Sequence, residues 1–120
     1  MFIVLLDEPG LFVFASPNEA VGHIEPPDAE SEIRAAFDDA AVPYRVDWIR
    51  PNSYTRLFGI VKGVSFGEYR FVPAGAPDPA ALVALLEAHP HFTTPADAQT
   101  ALAELLTKMR AVSDGTIRFP

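Results

Sequence analysis

The feature that most limits the fold is an alternation of apolar and polar residues between positions 32 and 49. In the first run Ile33, Ala35 and Phe37 share one face of an extended chain, and residues 38–41 form an acidic turn. After the turn the alternation resumes, and its apolar members are Val42, Tyr44, Val46 and Trp48. A period of two residues on both sides of a turn predicts an antiparallel β-hairpin with one face toward water.

Other short apolar runs predict further strands. They cover residues 2–6, 11–15, 57–64, 66–72 and, as a candidate edge strand, 116–119. A Pro-Gly pair at positions 9 and 10 predicts a hairpin turn between the first two runs. Residues 52–56, which contain Tyr54, are predicted to form a loop after Pro51.

Three proline-marked starts predict helices. Ser16 is followed by Pro17 and Glu19, the pattern of a capping box, and the short helix is expected to end at the Glu-Pro-Pro of residues 25–27. Asp78 and Thr94, each followed by proline, begin two more helices, which end near residues 89 and 113. The predicted fold is α+β: a mostly antiparallel sheet of five to six strands, a short early helix, and two C-terminal helices packed on one face.

Length and composition indicate one domain over residues 1–120, because two cores would leave each half too short to bury enough surface. The chain has no cysteine, which excludes disulfides and a cysteine nucleophile and fits a reducing cytoplasm. Asp7 and Glu8 interrupt the apolar N-terminal run far short of a secretion signal, and no run approaches the roughly 18 apolar residues of a membrane-spanning helix. We therefore expect a soluble cytoplasmic protein.

Charge is the strongest indication of what the chain binds. The net charge is −7, and residues 1–47 contain ten acidic and two basic residues, a balance of −8. Nucleic acid and anionic membranes would be repelled, so neither is an expected partner. A field of this kind instead steers a basic protein toward one face of the domain.

No residue pattern indicates an enzyme, a metal site or a cofactor. His89 and His91 lie just past a predicted helix and lack the further ligands that zinc requires. Gly59, Gly63 and Gly67 recur around a lysine but match neither phosphate-binding nor dinucleotide-binding patterns, and strand bulges or a tight turn explain them. We predict no catalytic residues, no metal and no cofactor.

The aromatic residues of the predicted strands, Phe58 and Phe66 among them, are expected in the core. Tyr54 is the exception, because it lies in the predicted loop between Arg50 and Arg56. This tyrosine either covers the sheet edge or contacts a partner.

Residues 11–50 contain a series of short motifs. They are Ser-Pro-Asn-Glu-Ala at 16–20, Ile-Glu-Pro-Pro-Asp at 24–28, Ile-Arg-Ala-Ala-Phe-Asp at 33–38 and the strand at 42–49. This part of the chain resembles small bacterial immunity proteins of the polymorphic-toxin type. It departs from their pattern at residues 38–41, where Asp-Asp-Ala-Ala replaces a turn that usually contains glycine.

The resemblance implies a cytoplasmic protein that binds a cognate toxin domain and blocks its active site. The acidic first half would then complement a basic toxin, and the candidate contacts are Asp28, Glu30, Glu32, Asp38, Asp39, Asp47 and Tyr54. The same carboxylates are equally explained as a solvated surface that keeps the protein soluble. A small enzyme or ligand-binding domain, with a pocket between sheet and helices, is the alternative, and the oligomeric state stays open.

Overall fold

The fold is built on a five-stranded antiparallel sheet with helices on both faces. The structure is a computed structural model that describes residues 1–7, 10–88 and 96–115, and for residues 96–98 it describes the backbone alone. In chain order the elements are β1 (Phe2–Leu6), β2 (Leu11–Phe14), α1 (Pro17–His23), α2 (Pro26–Ser31), β3 (Ile33–Asp38), β4 (Pro43–Arg50), β5 (Ser53–Leu57), β6 (Ile60–Ser65), β7 (Glu68–Pro73), α3 (Pro79–Ala88) and α4 (Ala96–Ser113). The predicted α+β class is confirmed.

The main sheet has the strand order β2-β1-β3-β4-β7, and each neighbouring pair is antiparallel. β5 and β6 pair with each other and, among the described residues, with no other strand, so they form a separate two-stranded sheet. The predicted hairpins β1–β2 and β3–β4 are both present. The candidate edge strand at 116–119 lies outside the described residues.

Two hydrophobic cores lie on opposite faces of this sheet. Phe2 and Val4 point toward the face covered by α1 and α2, where Ile24, Tyr69 and Phe71 also pack. The other face packs against α3 and α4 through residues of β1, β2 and β3 and of the two helices, namely Ile3, Leu11, Phe37, Leu82, Leu86, Leu102, Leu105 and Met109. Because side chains of a strand alternate between faces, β1 supplies both cores.

The helix caps read from the sequence are largely present. Ser16 accepts a hydrogen bond from the backbone N–H of Glu19 at 3.1 Å, and Pro17 occupies the first turn of α1. Asp78 caps α3 by accepting from the N–H of Ala81 at 3.1 Å. The predicted cap Thr94 lies outside the described residues, while α4 ends at Ser113, one residue before Asp114, as expected.

The helix α2 differs from the sequence prediction, in which the prolines at 26 and 27 end a helix. In the structure they occupy the first turn of a new helix instead. Proline is tolerated there because a first-turn N–H has no partner within the helix. The sequence signal therefore marked a helix start as much as a helix end.

A second correction concerns Ile33, which was expected to share a face with Ala35 and Phe37. The pairing of β1 with β3 shifts register between Leu5 and Leu6, which face Ala35 and Ile33 respectively. Because a bulge adds one residue to a strand, the side chains on either side of it lie on opposite faces. Ile33 consequently packs with α1 and α2, whereas Ala35 and Phe37 pack with α3 and α4.

The largest correction concerns residues 52–65. The predicted loop at 52–56 forms the strand β5, and the predicted strand at 57–64 is divided by a turn at Phe58 and Gly59. Both turn residues have positive φ, 54° and 77°, as a two-residue type I′ hairpin turn requires. Pairing also shifts between Thr55 and Arg56, opposite Gly63 and Val61, so the glycine-rich stretch contains the expected bulge and tight turn.

Candidate protein-binding site

The hairpin of β5 and β6, residues 53–65, projects from the body of the domain and is called the arm below. Every residue of both strands is exposed. The molecule measures 59 × 28 × 21 Å, and its radius of gyration is 16.3 Å. A compact domain of this length would have a radius of gyration of about 14 Å. The arm therefore adds length to the molecule without adding to either core.

The arm presents an apolar surface to solvent. Eight large hydrophobic side chains are exposed in the described part of the chain, and all lie between residues 49 and 66: Ile49, Tyr54, Leu57, Phe58, Ile60, Val61, Val64 and Phe66. Phe58, at the tip, is 92% exposed. The expectation that Phe58 and Phe66 belong to the core is therefore wrong. Large apolar residues gathered on one exposed element in this way mark an interaction surface.

The charge of the arm is opposite to that of the rest of the chain. It contains Arg56 and Lys62 and no acidic residue, so the arm carries +2 while the remainder carries −9. Both cations lie near the tip pair of Leu57 and Ile60: Arg56 precedes Leu57 and pairs with Val61, and Lys62 follows Val61 as the extra residue at the register shift. The surface that the arm offers is apolar at its end and basic beside it.

A hydrogen-bonded cluster fixes the base of the arm to α2. The Asn52 Nδ2 group donates to the carbonyl of Pro26 at 3.0 Å and to Glu30 Oε2 at 2.7 Å, while Asn52 Oδ1 accepts from the N–H of Gly67 at 2.8 Å. The Tyr54 hydroxyl donates to the same Glu30 oxygen at 2.8 Å. Tyr54 thus takes part in the anchor of the arm.

These contacts change the proton affinity of both partners. The hydrogen bonds from Asn52 and then Tyr54 lower the pKa of Glu30 below its ordinary value of 4.5, because they favour the carboxylate. The hydrogen bond to Glu30 raises the pKa of Tyr54, because it favours the neutral phenol. At neutral pH the anchor therefore consists of a charged acceptor and neutral donors.

An apolar groove lies on the other flank of α2 from this anchor, between the β1–β2 pair and the two helices α1 and α2. Phe12, Phe14 and Ile24 line its floor, Asp28 and Glu32 form an acidic rim, and the His23 ring stacks on Phe14 with 5.7 Å between centroids. Its volume is about 230 Å³. Small-molecule sites usually measure about 300–1,000 Å³, so the groove fits one or two side chains better than a metabolite.

The acidic residues predicted as contacts occupy three separate places. Asp28, Glu30 and Glu32 lie on or directly after α2. Asp38 and Asp39 lie in the turn at the far end of β3, six residues or roughly 20 Å away. Asp47 alternates with Val46 and Trp48 on β4 and so faces the opposite side of the sheet. The predicted set is therefore not one continuous surface.

Several of these carboxylates already have partners within the chain. Asp38 accepts from the N–H groups of Ala40 and Val42 and from the hydroxyl of Tyr44, at 2.9, 3.0 and 3.1 Å, which makes it the organiser of the turn. Burial, and then the bond to Asp38, raise the pKa of Tyr44. Asp39 pairs with the N-terminal ammonium at 3.3 Å.

Asp47 is held in the same way on the far side of the sheet. Its carboxylate pairs with Arg70 at 2.9 Å on the neighbouring strand and with Arg45 at 3.7 Å. Asp28 and Glu32, on the rim of the groove, are the members of the predicted set that lie beside an apolar surface. A partner that recognises both negative charge and an apolar surface would therefore bind at Asp28 and Glu32.

Two features of the sequence indicate the arm: its charge and its turn residues. Residues 49–67 contain three basic residues and no acidic one, although the surrounding chain is acidic. A Phe-Gly pair between two β-prone runs also fits a two-residue hairpin turn, although asparagine or aspartate is commoner at its first position.

His89 and His91 lie outside the described residues. Within the described parts of the chain, no group of three or more His, Cys, Asp or Glu side chains could hold a metal ion. The helices described there also include none long and apolar enough to cross a membrane.

No match to the chain is found among protein-family models, curated proteins or solved structures. The described surface has two notable features: an apolar, basic arm fixed at its base to α2, and an apolar groove with an acidic rim on the other flank of that helix.

Proposed function

We propose that this protein is a non-catalytic protein-binding domain that holds its partner through the arm. The observation that carries this proposal is the exposure of eight large apolar side chains on one projecting hairpin and its flanks. An isolated two-stranded hairpin is at best marginally stable in water. A partner that covers the arm would stabilise it and remove its apolar surface from solvent.

The tip residue supports this proposal independently of the total exposed area. Phe58 combines a positive φ of 54° with an exposed ring. A left-handed backbone costs a residue other than glycine roughly 1–2 kcal/mol. The side chain of Phe58 is 92% exposed, so burial against the described residues does little to offset that cost. Such strain is typical of residues whose favourable contacts are made with a partner.

The anchor gives the arm a second property that a binding element needs. Hydrogen bonds from Asn52 and Tyr54 to Glu30 hold the base at a fixed position on α2. A hairpin held in its bound orientation loses less conformational freedom on association than a free loop would. The arm is in this sense prepared for binding before a partner arrives.

Neutralisation of a toxin domain is the second function that we propose, with the protein acting in the cytoplasm as an immunity protein. It is supported by the resemblance of residues 11–50 and by the charge of −9 outside the arm. Because the arm itself is basic, a basic toxin would bind the acidic body. The exposed carboxylates of Asp28 on α2 and Asp39 just after β3 are its first test.

The arm proposal is tested by affinity capture from native lysate with three tagged proteins. They are the wild-type chain, a tip variant with Phe58→Asp and Ile60→Asp, and a control with Ala84→Asp and Ala103→Asp on exposed positions of α3 and α4. The control adds the same charge away from the arm. Bound proteins, including untagged copies of the chain, are quantified by mass spectrometry.

We expect a specific partner to be recovered equally by the wild type and the control and at least about ten-fold less by the tip variant, since central apolar anchors dominate binding energy. Equal recovery by all three would overturn the proposal for the arm. The toxin function requires the recovered protein to be a basic toxin domain that is lost on Asp28→Lys with Asp39→Lys.

A further inference from the structure

We propose that the partner of the arm is a second copy of this chain, and that in a twofold dimer each arm tip occupies the acidic-rimmed groove of the other copy. This rests on the proposed function, because it requires the arm to be a protein-binding element. It goes further by naming the occupant of both the arm and the groove.

The tip of the arm and the rim of the groove carry opposite charges. Arg56 and Lys62 lie near the tip of the arm, and Asp28 and Glu32 form the rim of the groove. Placing the tip in the groove brings two cations toward two anions around an apolar centre. The remainder of the chain carries −9, so the acidic body as a whole also attracts the basic arm of another copy.

The groove is large enough to hold the tip of the arm. The groove has a volume of about 230 Å³ and an apolar floor that includes Phe12, Phe14 and Ile24. A protein cavity of about 150 Å³ holds a benzene molecule. The groove is therefore large enough for the ring of Phe58 and part of a neighbouring aliphatic side chain, and the two phenylalanines on its floor offer an aromatic surface.

The groove and the base of the arm share the helix α2. Glu30 holds the base of the arm on one flank of α2, whereas the rim residues Asp28 and Glu32 point to the other flank, because residues two apart on a helix face nearly opposite directions. The groove and the base of the arm therefore lie on opposite flanks of the same short helix. If two arms cross in opposite directions, the tip of each arm reaches α2 of the other copy, whose far flank forms one wall of the groove.

This arrangement closes on itself. Each copy contributes the same two surfaces, tip and groove, and a twofold axis between the arms satisfies both contacts at once, as isologous dimers require. It also lets the apolar sides of the two arms cover one another along a strand length of about 20 Å. Neither copy is left with an uncovered tip that would recruit a third.

A charge exchange tests the dimer. The arm variant carries Arg56→Glu and Lys62→Glu, and the groove variant carries Asp28→Lys and Glu32→Lys. Controls are Lys108→Glu and Glu104→Lys, which reverse exposed charges on α4. Sedimentation velocity is measured for each protein over a wide concentration range and for the arm and groove variants mixed together, and circular dichroism checks that every variant is folded.

We expect the wild type and both controls to dimerise. Each exchanged variant alone places like charges at both contacts, so its apparent dissociation constant should rise at least about ten-fold. The mixture pairs opposite charges at both contacts and should restore dimers. A wild type that stays monomeric, variants that dimerise normally, or a mixture that stays monomeric would each overturn the proposal.

The Phe58→Asp variant distinguishes this failure from failure of the proposed function. If the wild type is monomeric but captures a different protein that Phe58→Asp does not capture, the second copy is ruled out while the arm remains a binding element. If Phe58→Asp changes neither self-association nor capture, both proposals fail.

Discussion

Tyr69 joins the sheet to the end of α1 through its hydroxyl group. The ring lies in the core beneath α1 and α2, only 4% exposed, and the hydroxyl donates to the carbonyl of Ile24 at 2.5 Å. Burial, and then the negative charge of Asp28, raise the pKa of Tyr69 to about 12. The phenol is thus both a structural hydrogen-bond donor and a group whose ionisation opposes folding.

Tyr69→Phe is expected to have opposite effects at neutral and alkaline pH. At pH 7 it should lower the free energy of unfolding by about 1–2 kcal/mol, because the buried carbonyl of Ile24 loses its donor. In the wild type the phenol ionises near pH 10 when unfolded and near pH 12 when folded, so stability falls as the pH rises between these values.

Since phenylalanine does not ionise, the variant should lose less stability over that interval. Urea unfolding of both proteins at several pH values measures this difference. Parallel stability curves between pH 10 and 12 would show that Tyr69 is not the group responsible.

Gly67 allows β7 to begin directly beside the end of β4. A Cβ atom at this position would lie 2.1 Å from the carbonyl oxygen of Arg50 and 2.8 Å from the backbone nitrogen of Asn52. Both neighbours are backbone atoms, which cannot move aside as the end of a long side chain can. The residue is therefore glycine because of close approach, since its φ lies outside the left-handed region.

Gly67→Ala is expected to destabilise the domain by about 1–3 kcal/mol, the usual cost of an overpacked site. Gly75→Ala is the matched control, because the nearest atom to its new Cβ would be the Pro43 Cγ at an ordinary 3.5 Å. Chemical denaturation of both variants gives the comparison. Equal stability would mean that the strand junction can relax around a methyl group.

The anchor of the arm depends on pH through Glu30. The anchor needs Glu30 as a carboxylate, and the pKa of Glu30 is lower in the folded protein than its ordinary value of 4.5. A group with a depressed pKa in the folded state stabilises that state above the ordinary pKa. Its contribution is lost as the pH falls through the lower folded value.

Acidification below pH 4.5 is accordingly expected to loosen the base of the arm before the sheet unfolds. The measurement is the amide-exchange protection factor of Gly67, whose N–H donates to Asn52. Glu30→Gln should show the reduced protection already at neutral pH, whereas Glu104→Gln on α4 should not. Protection that is the same for the wild type and Glu30→Gln at every pH would contradict this role for Glu30.

The elements that the sequence predicts correctly are those determined by residues close together in the chain. The β1–β2 and β3–β4 hairpins follow from alternation and turn residues, and the caps Ser16 and Asp78 act through N–H groups three residues away. Each capping side chain and the N–H group that it binds are three residues apart, so a short stretch of sequence contains both.

What could not be predicted depends on contacts between distant segments. The face of Ile33 is set by a bulge in its pairing with β1, and the strand character of Tyr54 appears only when β6 pairs with β5. The candidate site has the same limitation. Residues 28 and 47 are both acidic, but only the packing of α2 on the face that Val46 and Trp48 share shows that Asp47 lies on the other side of the sheet.

For the whole molecule, the decisive feature is that β1 belongs to both cores. Phe2 and Val4 pack toward α1 and α2, whereas Ile3 packs toward α3 and α4, and all three are fully buried. Loss of either helical layer exposes one side of the same strand. The two cores should therefore unfold together, as expected for a single domain of this size.

Leu102→Ala tests this coupling because two optical probes report on opposite faces. Trp48 is the only tryptophan in the chain and packs against the α1–α2 core, so its fluorescence reports on that face. Most helical residues lie in α3 and α4, so far-ultraviolet circular dichroism reports mainly on the other. Leu102 is 1% exposed and lies in the α3–α4 core.

The variant should lose about 2–5 kcal/mol, the range for truncation of a buried leucine, and both probes should shift by the same amount. Phe58→Ala is the control. Measured at a concentration where the chain is monomeric, it should change stability by less than about 0.5 kcal/mol, because an exposed arm residue contributes to neither core. If circular dichroism shifted while Trp48 fluorescence did not, the two helical layers would be separate folding units. The sheet would then not couple the unfolding of the two cores.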